Sequence, residues 1–354
     1  MKKVLFIILA AVITASAFTG CGSADKAAGG GAEKELDIFS WSEYIPQSVL
    51  DGFTEKYGIQ VKMATYASNE EMLAKLMAGG NSQYDLVVPS NYVINAMAQQ
   101  KLIQPLDQAN IPNIKNINPD MLDMDFDKGN VYTVPYMVSF TLLAVNTKTC
   151  PVEIKSYNDL LDPRLKGSLV MVDDSRELIG IALLALGYSF NETDQAKLDE
   201  AKEWLLKLVP NVKAYDSDSP KTKMISGETT AGLIWNGEAA LAMQENPDIQ
   251  IAWPKEGVSM AIDNFAVTEG AKHKKAAESF IDYVLDPQTS KLISDEYPYT
   301  NPNKAAEQYL SKTYLDCPAS NVPSEQVKKA VLTEDAGDAV GAFDKIWSEI
   351  KSVQ

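Results

Sequence analysis

Aromatic and acidic side chains end, follow or lie within several apolar segments that have the composition of strands. In the first half of the chain these are Trp41, Tyr44, Ser90 and Tyr92. In the second half they are Asp173, Asp174, Glu177, Trp235, Asn236, Glu238, Asp263 and Tyr299, with Arg176 as the one basic residue among them. Aromatic faces attract cations and cover methylene groups, and carboxylates accept charge-assisted hydrogen bonds from ammonium groups. The residue types therefore predict a site for an aliphatic chain that carries ammonium groups, whereas an anion site would need Lys, Arg or bare helix N-termini.

Most of these residues also have a purely structural interpretation. Asp174 and Glu177 have the D-x-x-E spacing of a capping box at the start of a helix. The aromatic residues could belong to the core, and Ser90 could simply cap a helix. Asp263 is harder to explain in this way, because a carboxylate inside an apolar strand is costly unless it is paired or faces a wet crevice.

The sequence offers little support for catalysis, and we expect no enzyme activity, no cofactor and no metal. The only histidine, His273, lies in a basic stretch where a solvated surface position is expected. No GxSxG, P-loop or GxGxxG motif occurs, and the three successive glycines at 29–31 lie in a predicted tether. A glycosidase that uses two carboxylates stays open as an alternative. A calcium site at Asp173, Asp174 and Glu177 is conceivable, but the EF-hand spacing is absent.

The first residues predict a lipoprotein signal. Lys2 and Lys3 precede a short apolar run that ends at residues 17–21, AFTGC. This ending resembles the lipobox of bacterial lipoproteins, although Phe18 stands where Leu is usual. We expect a signal peptide over 1–20, an acylated Cys21 and a flexible tether over 21–34. A plain secretory signal is the alternative, and a stable anchor would need more than one lipid chain.

The chain of 354 residues has a formal net charge of −16. Nucleic acid is therefore nearly excluded as a partner, because phosphate binding needs a basic face. The charge favours a cationic ligand, but it could equally serve only to keep a secreted protein soluble. Cys150 and Cys317 lie in a compartment that permits disulfides, and the sequence leaves their pairing open.

The order of the predicted elements favours an α/β fold. Strands are predicted over 36–41, 59–66 and 84–89, each followed by a helix, over 46–57, from 68 to about 79, and after Ser90. Ser68 with Glu71 predicts a capping box for the second helix. This alternation is typical of a mostly parallel, doubly wound sheet, in which ligands bind beyond the carboxyl ends of the strands.

A second unit of the same kind begins after Tyr136. Strands are predicted over 168–173 and 231–235, with helices over 176–186 and 195–208 between them. A strand over 260–267 and an amphipathic stretch over 271–285 then return to the first unit. We therefore predict two lobes, formed by 35–137 with 262–305 and by 138–261 with 306–354.

From about Leu36 nearly to its end, the chain resembles the spermidine/putrescine-binding proteins of bacterial ABC importers. The landmarks are SWSEY at 40–44, YDLVVPS at 84–90, DDSRE at 173–177, IWNG at 234–237 and WPKEG at 253–257. The resemblance implies a two-lobed type II periplasmic-binding-protein fold, in which each lobe is a mostly parallel sheet flanked by helices. It also implies ligand contact at the positions that match the family's pocket: Trp41, Tyr44, Ser90, Tyr92, Asp174, Glu177, Trp235, Asp263 and Tyr299.

Two positions depart from the spermidine-type pattern. Ala261 stands where that pattern has a second Trp, and Thr333, by a weaker alignment, stands where a Gln is expected. We expect a monomeric, extracytoplasmic, lipid-anchored receptor that closes on a linear polyamine and delivers it to a permease. The alternatives are the same fold with another small cationic solute, and the carbohydrate-active enzyme.

Overall fold

The computed structural model describes residues 33–353. The predicted signal peptide, Cys21 and the tether up to residue 32 lie outside the described residues. No helix in the described range combines the length and the apolar character of a membrane span.

The first part of the chain alternates strands and helices as predicted. The elements are β1 (Glu35–Trp41), α1 (Gln47–Tyr57), β2 (Gln60–Tyr66), α2 (Asn69–Met77), β3 (Leu86–Val87), α3 (Asn91–Gln99) and β4 (Thr133–Asn146). Gly58 ends α1 with a φ of 71°, in the left-handed region that glycine adopts without a steric penalty. The predicted capping box of α2 is half formed. The Ser68 side chain accepts from Glu71 N, but the Glu71 carboxylate accepts from Ala67 N instead of Ser68 N.

The second part contains more elements than the sequence analysis predicted. They are β5 (Leu169–Met171), α4 (Ser175–Ala185), α5 (Gln195–Leu208), β6 (Val212–Tyr215), α6 (Pro220–Ile225), β7 (Ala231–Trp235), α7 (Asn236–Glu245), β8 (Ile249–Ala252) and β9 (Ser259–Val267). They are followed by α8 (Lys274–Val284), α9 (Pro287–Glu296), α10 (Lys312–Asp316), α11 (Ser324–Val327), β10 (Val331–Leu332) and α12 (Val340–Lys351). Strands β4 and β6 are the additions that matter for the site.

The strands form one sheet in the order β2-β1-β3-β9-β4-β7-β5-β6, with β10 beside β9 and β8 beside β4. Strands β1–β3 are parallel to one another, and so are β5–β7. We call these triplets the first half and the second half of the sheet. Strands β4 and β9 are antiparallel to each other, β9 is antiparallel to β3 and β4 is antiparallel to β7, so that they join the halves. The predicted parallel sheet is thus confirmed within each half, but its centre is antiparallel.

Strand β4 was not predicted because it lacks the alternation of a half-buried strand. Thirteen of its fourteen residues are buried. A strand that is covered on both faces has a nearly continuous apolar sequence. Helices α4, α5 and α12 cover the second half, where Leu183, Leu205 and Phe343 share one core cluster.

The predicted lobe boundaries, after residues 137 and 261, fall inside β4 and β9. There Met137 is opposite Asp263, and Val138 is opposite Ile262. Glu33–Gln354 form one compact unit, so the division into two lobes stays a prediction.

Candidate functional site

All nine residues that were predicted to contact a ligand line a single cavity. It lies where the carboxyl ends of the parallel strands of both halves meet, and the centre of a water-sized sphere can occupy about 50 Å³ of it. A volume of about 10–15 Å³ in the same measure holds one water molecule, so the cavity is narrow. The predicted residues in its wall are Trp41, Tyr44, Ser90, Tyr92, Asp174, Glu177, Trp235, Asp263 and Tyr299. Whether they contact a ligand stays a prediction.

The two tryptophans have their indole N–H groups bonded to the backbone. Trp41 Nε1 donates to Val88 O at 2.9 Å, and Trp235 Nε1 donates to Ser217 O at 3.1 Å. Both side chains are partly buried. With their only donors used, the rings can offer a ligand only apolar surface and the negative potential of their faces.

Two tyrosines form another part of the wall. The rings of Tyr44 and Tyr299 meet edge to face with their centroids 5.0 Å apart. Tyr299 also lies directly against Gly237, where a Cβ atom would be 2.4 Å from the tyrosine ring. Because Gly237, in the IWNG stretch, has no side chain, the Tyr299 ring can pack directly against its backbone.

Asp263 is a buried carboxylate that accepts hydrogen bonds from the first half. Ser90 Oγ donates to its Oδ1 at 2.6 Å, and Tyr44 Oη donates to its Oδ2 at 2.5 Å. A backbone bridge between Ser90 and Asp263 holds the two residues side by side. Burial raises the pKa of Asp263, and the hydrogen bonds from Ser90, Tyr44 and Ser139 oppose that rise. These donors favour the ionised carboxylate, which is the form that attracts an ammonium group.

Ser90 therefore does not cap its helix through its side chain. It occupies the N-cap position of α3, but its hydroxyl forms no capping hydrogen bond. Instead it donates to Asp263 and accepts from Asn69 Nδ2, which also donates to Tyr92 Oη at 2.7 Å. The hydroxyl thus belongs to the cavity wall.

Asp174 and Glu177 combine the structural role with a place in the cavity. Asp174 Oδ1 accepts from Glu177 N at 3.0 Å, which caps α4. The Glu177 carboxylate does not bond back to Asp174 N. It accepts from Ser259 Oγ. Burial, followed by the nearby charge of Asp174, raises the pKa of Glu177 to about 7, and burial also raises the pKa of Asp174.

The one arginine that the sequence analysis placed near the site does not line the cavity. The Arg176 guanidinium is buried over the Phe343 ring, 4.4 Å from its centroid, and donates to Glu334 O at 2.9 Å. It lies close enough to lower the pKa values of Asp174 and Glu177 in part. It therefore acts as a counter-charge behind the wall.

Sequence reasoning missed an ion pair at the wall of the cavity. Lys221 Nζ donates to Glu43 Oε2 at 2.5 Å and to Glu238 Oε1 at 2.9 Å. Both carboxylates line the cavity, and burial raises the pKa of Glu238 to about 7 against the effect of Lys221. Because β6 was not predicted, no site residue was expected in the loop and helix that follow it. The second strand was predicted, but Asn69, which follows it, was not among the expected site residues.

The other candidate residues lie elsewhere. His273 is partly buried instead of solvated, because its Nδ1 lies 3.0 Å from the buried Asp85. Asp173 pairs with Lys351 and does not line the cavity, so the conceivable calcium set does not form among residues 33–353. Cys150 and Cys317 are both free thiols.

The two departures from the spermidine-type pattern differ in position. Ala261 lines the cavity, so the wall there is a methyl group instead of a ring. Thr333 is fully buried, and its backbone carbonyl accepts from Asn91 Nδ2 at 2.7 Å. Its hydroxyl has no hydrogen-bond partner among the described residues, and it does not line the cavity.

Comparison with known proteins gives consistent matches. A family model described as bacterial extracellular solute-binding protein matches residues 48–321. The spermidine/putrescine-binding periplasmic protein of Salmonella typhimurium is 37% identical over 318 residues, which cover 90% of this chain and 91% of the relative. A putrescine/cadaverine-binding protein of Pseudomonas aeruginosa is 30% identical, with 90% and 94% covered. The solved spermidine/putrescine ABC transporter substrate-binding protein of Streptococcus pneumoniae has a TM-score of 0.76 and 31% identity, with 90% and 99% covered.

The fold and the cavity define an α/β binding protein with its site at the junction of two parallel half-sheets. The chain belongs to the bacterial extracellular solute-binding proteins. The predicted periplasmic-binding-protein fold is confirmed by these structural neighbours, and the extracytoplasmic location agrees with the family.

Proposed function

We propose that this protein is the polyamine receptor of an ABC importer and that its cavity binds a linear polyamine. The observation that carries the proposal is the composition of the wall. Six carboxylates and six aromatic rings line the cavity, and among residues 33–353 no Lys, Arg or His lines it. The relatives named for spermidine, putrescine and cadaverine support this ligand class.

The geometry suggests a division of labour between acids and rings. Asp263 would hold one ammonium group, and Asp174 with Glu177 would hold another. A hydrogen bond to a charged group contributes about 1.5–3 kcal/mol. The tryptophan and tyrosine rings would cover the methylenes between the ammonium groups, and each cation–π contact would contribute about 0.5–2 kcal/mol.

The proposed role also includes delivery of the ligand to a permease, attachment to the membrane and closure on the ligand. The protein would bind without catalysis and deliver its ligand to permease subunits as a monomer. Acylated Cys21 would hold it at the membrane surface. The two predicted lobes would close on the ligand by a hinge motion, which is a common device in such binding proteins.

Asp263→Asn tests the ligand class and the role of the carboxylate together. The variant keeps the shape of the side chain but removes its charge, so we expect putrescine affinity to fall at least about 30-fold, or about 2 kcal/mol. Calorimetric titration of the mature chain with putrescine, spermidine and spermine provides the measurement. The exposed Asp120 lies away from the cavity, and Asp120→Asn is expected to bind like the wild type. An absence of binding of all three amines to the wild type would refute the proposal.

A second candidate keeps the fold and changes the solute to another small organic cation. Ala261 favours it, because the missing ring leaves one side of the cavity unstacked. Native mass spectrometry of the purified protein discriminates the two by the mass of any ligand that is carried through purification.

A further inference from the structure

A lysine ammonium group already lies among the carboxylates of the cavity wall. Lys221 Nζ lies 2.5 Å from Glu43 Oε2, and 2.9 and 3.1 Å from the two carboxylate oxygens of Glu238. The side chain of Lys221 is 17% exposed and that of Glu238 is 5% exposed. These two carboxylates line the cavity, but the lysine does not. The ammonium group therefore has the carboxylate partners that the terminal ammonium of a ligand would need there.

The other buried acids of the wall have hydrogen-bond donors that carry no charge. Asp263 accepts from Ser90 and Tyr44. Glu177 accepts from Ser259, and Asp174 accepts from a backbone N–H of its own helix. Arg176 behind the wall offsets the charge of Asp174 and Glu177 only in part. Negative charge is therefore left for a ligand in two places: Asp263, and the pair of Asp174 with Glu177.

We propose that Lys221 is a built-in cation that fills a third ammonium position, so that the cavity selects a linear diamine over a linear triamine. The inference rests on the proposed function, and it names the ligand within that class. The sixth carboxylate of the wall, Asp218, is exposed and already accepts from Ser42. In the buried part of the wall, a third ammonium group would have to displace Lys221 from Glu43 and Glu238 or enter without a counter-charge. Burial of an unpaired charge is strongly unfavourable, so either course weakens binding of the triamine.

One further observation agrees with a short ligand. The ion pairs of Lys221 also join the halves of the sheet, because Glu43 follows β1 whereas Lys221 and Glu238 belong to α6 and α7. A triamine that displaced the lysine would have to replace that connection as well.

Lys221→Met provides the test, because methionine keeps most of the aliphatic stem and removes the ammonium group. In the wild type we expect putrescine to bind at least about tenfold more tightly than spermidine, a difference of about 1.4 kcal/mol. In Lys221→Met, Glu43 and Glu238 become available to a third ammonium group. We expect the ratio of the two dissociation constants to shift at least about tenfold toward spermidine. Calorimetry at pH 8, above the pKa of about 7 that Glu238 has beside Lys221, measures both.

Two further variants serve as controls. Lys223 lies on the same helix and pairs with Asp216 at 2.5 Å, and neither residue lines the cavity. Lys223→Met should therefore leave the ratio unchanged. If the single variant at Lys221 folds poorly because Glu238 is left buried and unpaired, Lys221→Met with Glu238→Gln removes that charge. The double variant keeps Glu43, and it should still shift toward spermidine.

The outcomes separate this inference from the proposed function. If the wild type binds spermidine as tightly as putrescine, or if both Lys221 variants keep the wild-type ratio, the role of Lys221 is refuted while polyamine binding stands. If neither amine binds to the wild type, the polyamine function fails and the inference fails with it.

Discussion

At the scale of single residues, the cavity wall places several carboxylates where burial resists their ionisation. Burial and the nearby Asp174 charge raise the pKa of Glu177 to about 7. In the unfolded chain Glu177 ionises near its ordinary pKa of 4.5, whereas in the ligand-free folded protein it stays protonated up to about pH 7. The free energy of unfolding therefore falls as the pH rises through this range. A bound ammonium group opposes that effect, since it stabilises the ionised carboxylate.

Binding of a polyamine is expected to release protons from Glu177. Primary amines stay protonated near pH 7, because their pKa is close to the value of about 10.4 for lysine. Binding of putrescine should therefore lower the pKa of Glu177, release protons between pH 6 and 7, and weaken as the pH falls below about 7. Calorimetry at pH 6.5 in buffers of different ionisation enthalpy counts the protons.

Glu177→Gln gives the matched control for that measurement. The variant cannot ionise at this position, so we expect fewer protons to be released and a flatter pH dependence of affinity. Proton uptake by the wild type, or equal release by both proteins, would contradict the assignment.

At the scale of elements, the start of α7 determines where an aromatic wall can lie. Gly237 is the second residue of that helix, and it faces the ring of Tyr299. Ala has a higher helix propensity than Gly. Gly237→Ala would therefore stabilise the helix itself but disturb its packing against Tyr299. The added Cβ would lie only 2.4 Å from the Tyr299 ring, so the cost of the clash exceeds the gain in helix propensity.

Gly237→Ala is accordingly expected to destabilise the protein and weaken ligand binding. Overpacking of a core costs about 1–3 kcal/mol. For a unit of the described length, each kcal/mol of destabilisation lowers Tm by about 1.5 °C. Thermal unfolding with and without putrescine measures both effects. Gly341→Ala in α12 is the control, because a Cβ there meets no atom within 4 Å, and it should not lower Tm.

At the scale of the whole molecule, strands β4 and β9 connect the two halves of the sheet. Hydrogen bonds across the cavity connect the two halves a second time. Ser42 Oγ donates to Asp218 Oδ1 at 2.8 Å, and Lys221 bonds Glu43. Both contacts are polar, and a polar interface permits relative motion more readily than a large apolar one. Trp235 adds an apolar contact, because it also packs against the core cluster of the first half.

Small-angle scattering of the mature chain tests closure. A compact chain of the described length has a radius of gyration of about 20 Å. We expect a value near this with putrescine and a value at least about 1 Å larger without it, because an open form separates the predicted lobes. Identical curves in both conditions would argue that the halves form one rigid body.

The sequence by itself determined the residue types at the carboxyl ends of the strands, and from them the acidic and aromatic character of the site. This worked because parallel strands bring their carboxyl ends to one edge of a sheet whatever the loops between them. The sequence predicted Trp41, Asp174 and Asp263 for the site without any knowledge of the distances between them.

Only the tertiary structure decided which partners those residues have. Lys221 and Glu43 are 178 residues apart in the chain, and Tyr44 and Asp263 are 219 apart. Such pairs depend on how β4 and β9 join the two halves, and no local pattern encodes that. The fully buried β4 also lacks the alternation that marks a half-buried strand. Nine residues of the cavity wall were therefore predictable from the sequence, but Tyr66, Asn69 and Asp218 in the wall and the charge that Lys221 supplies behind it were not.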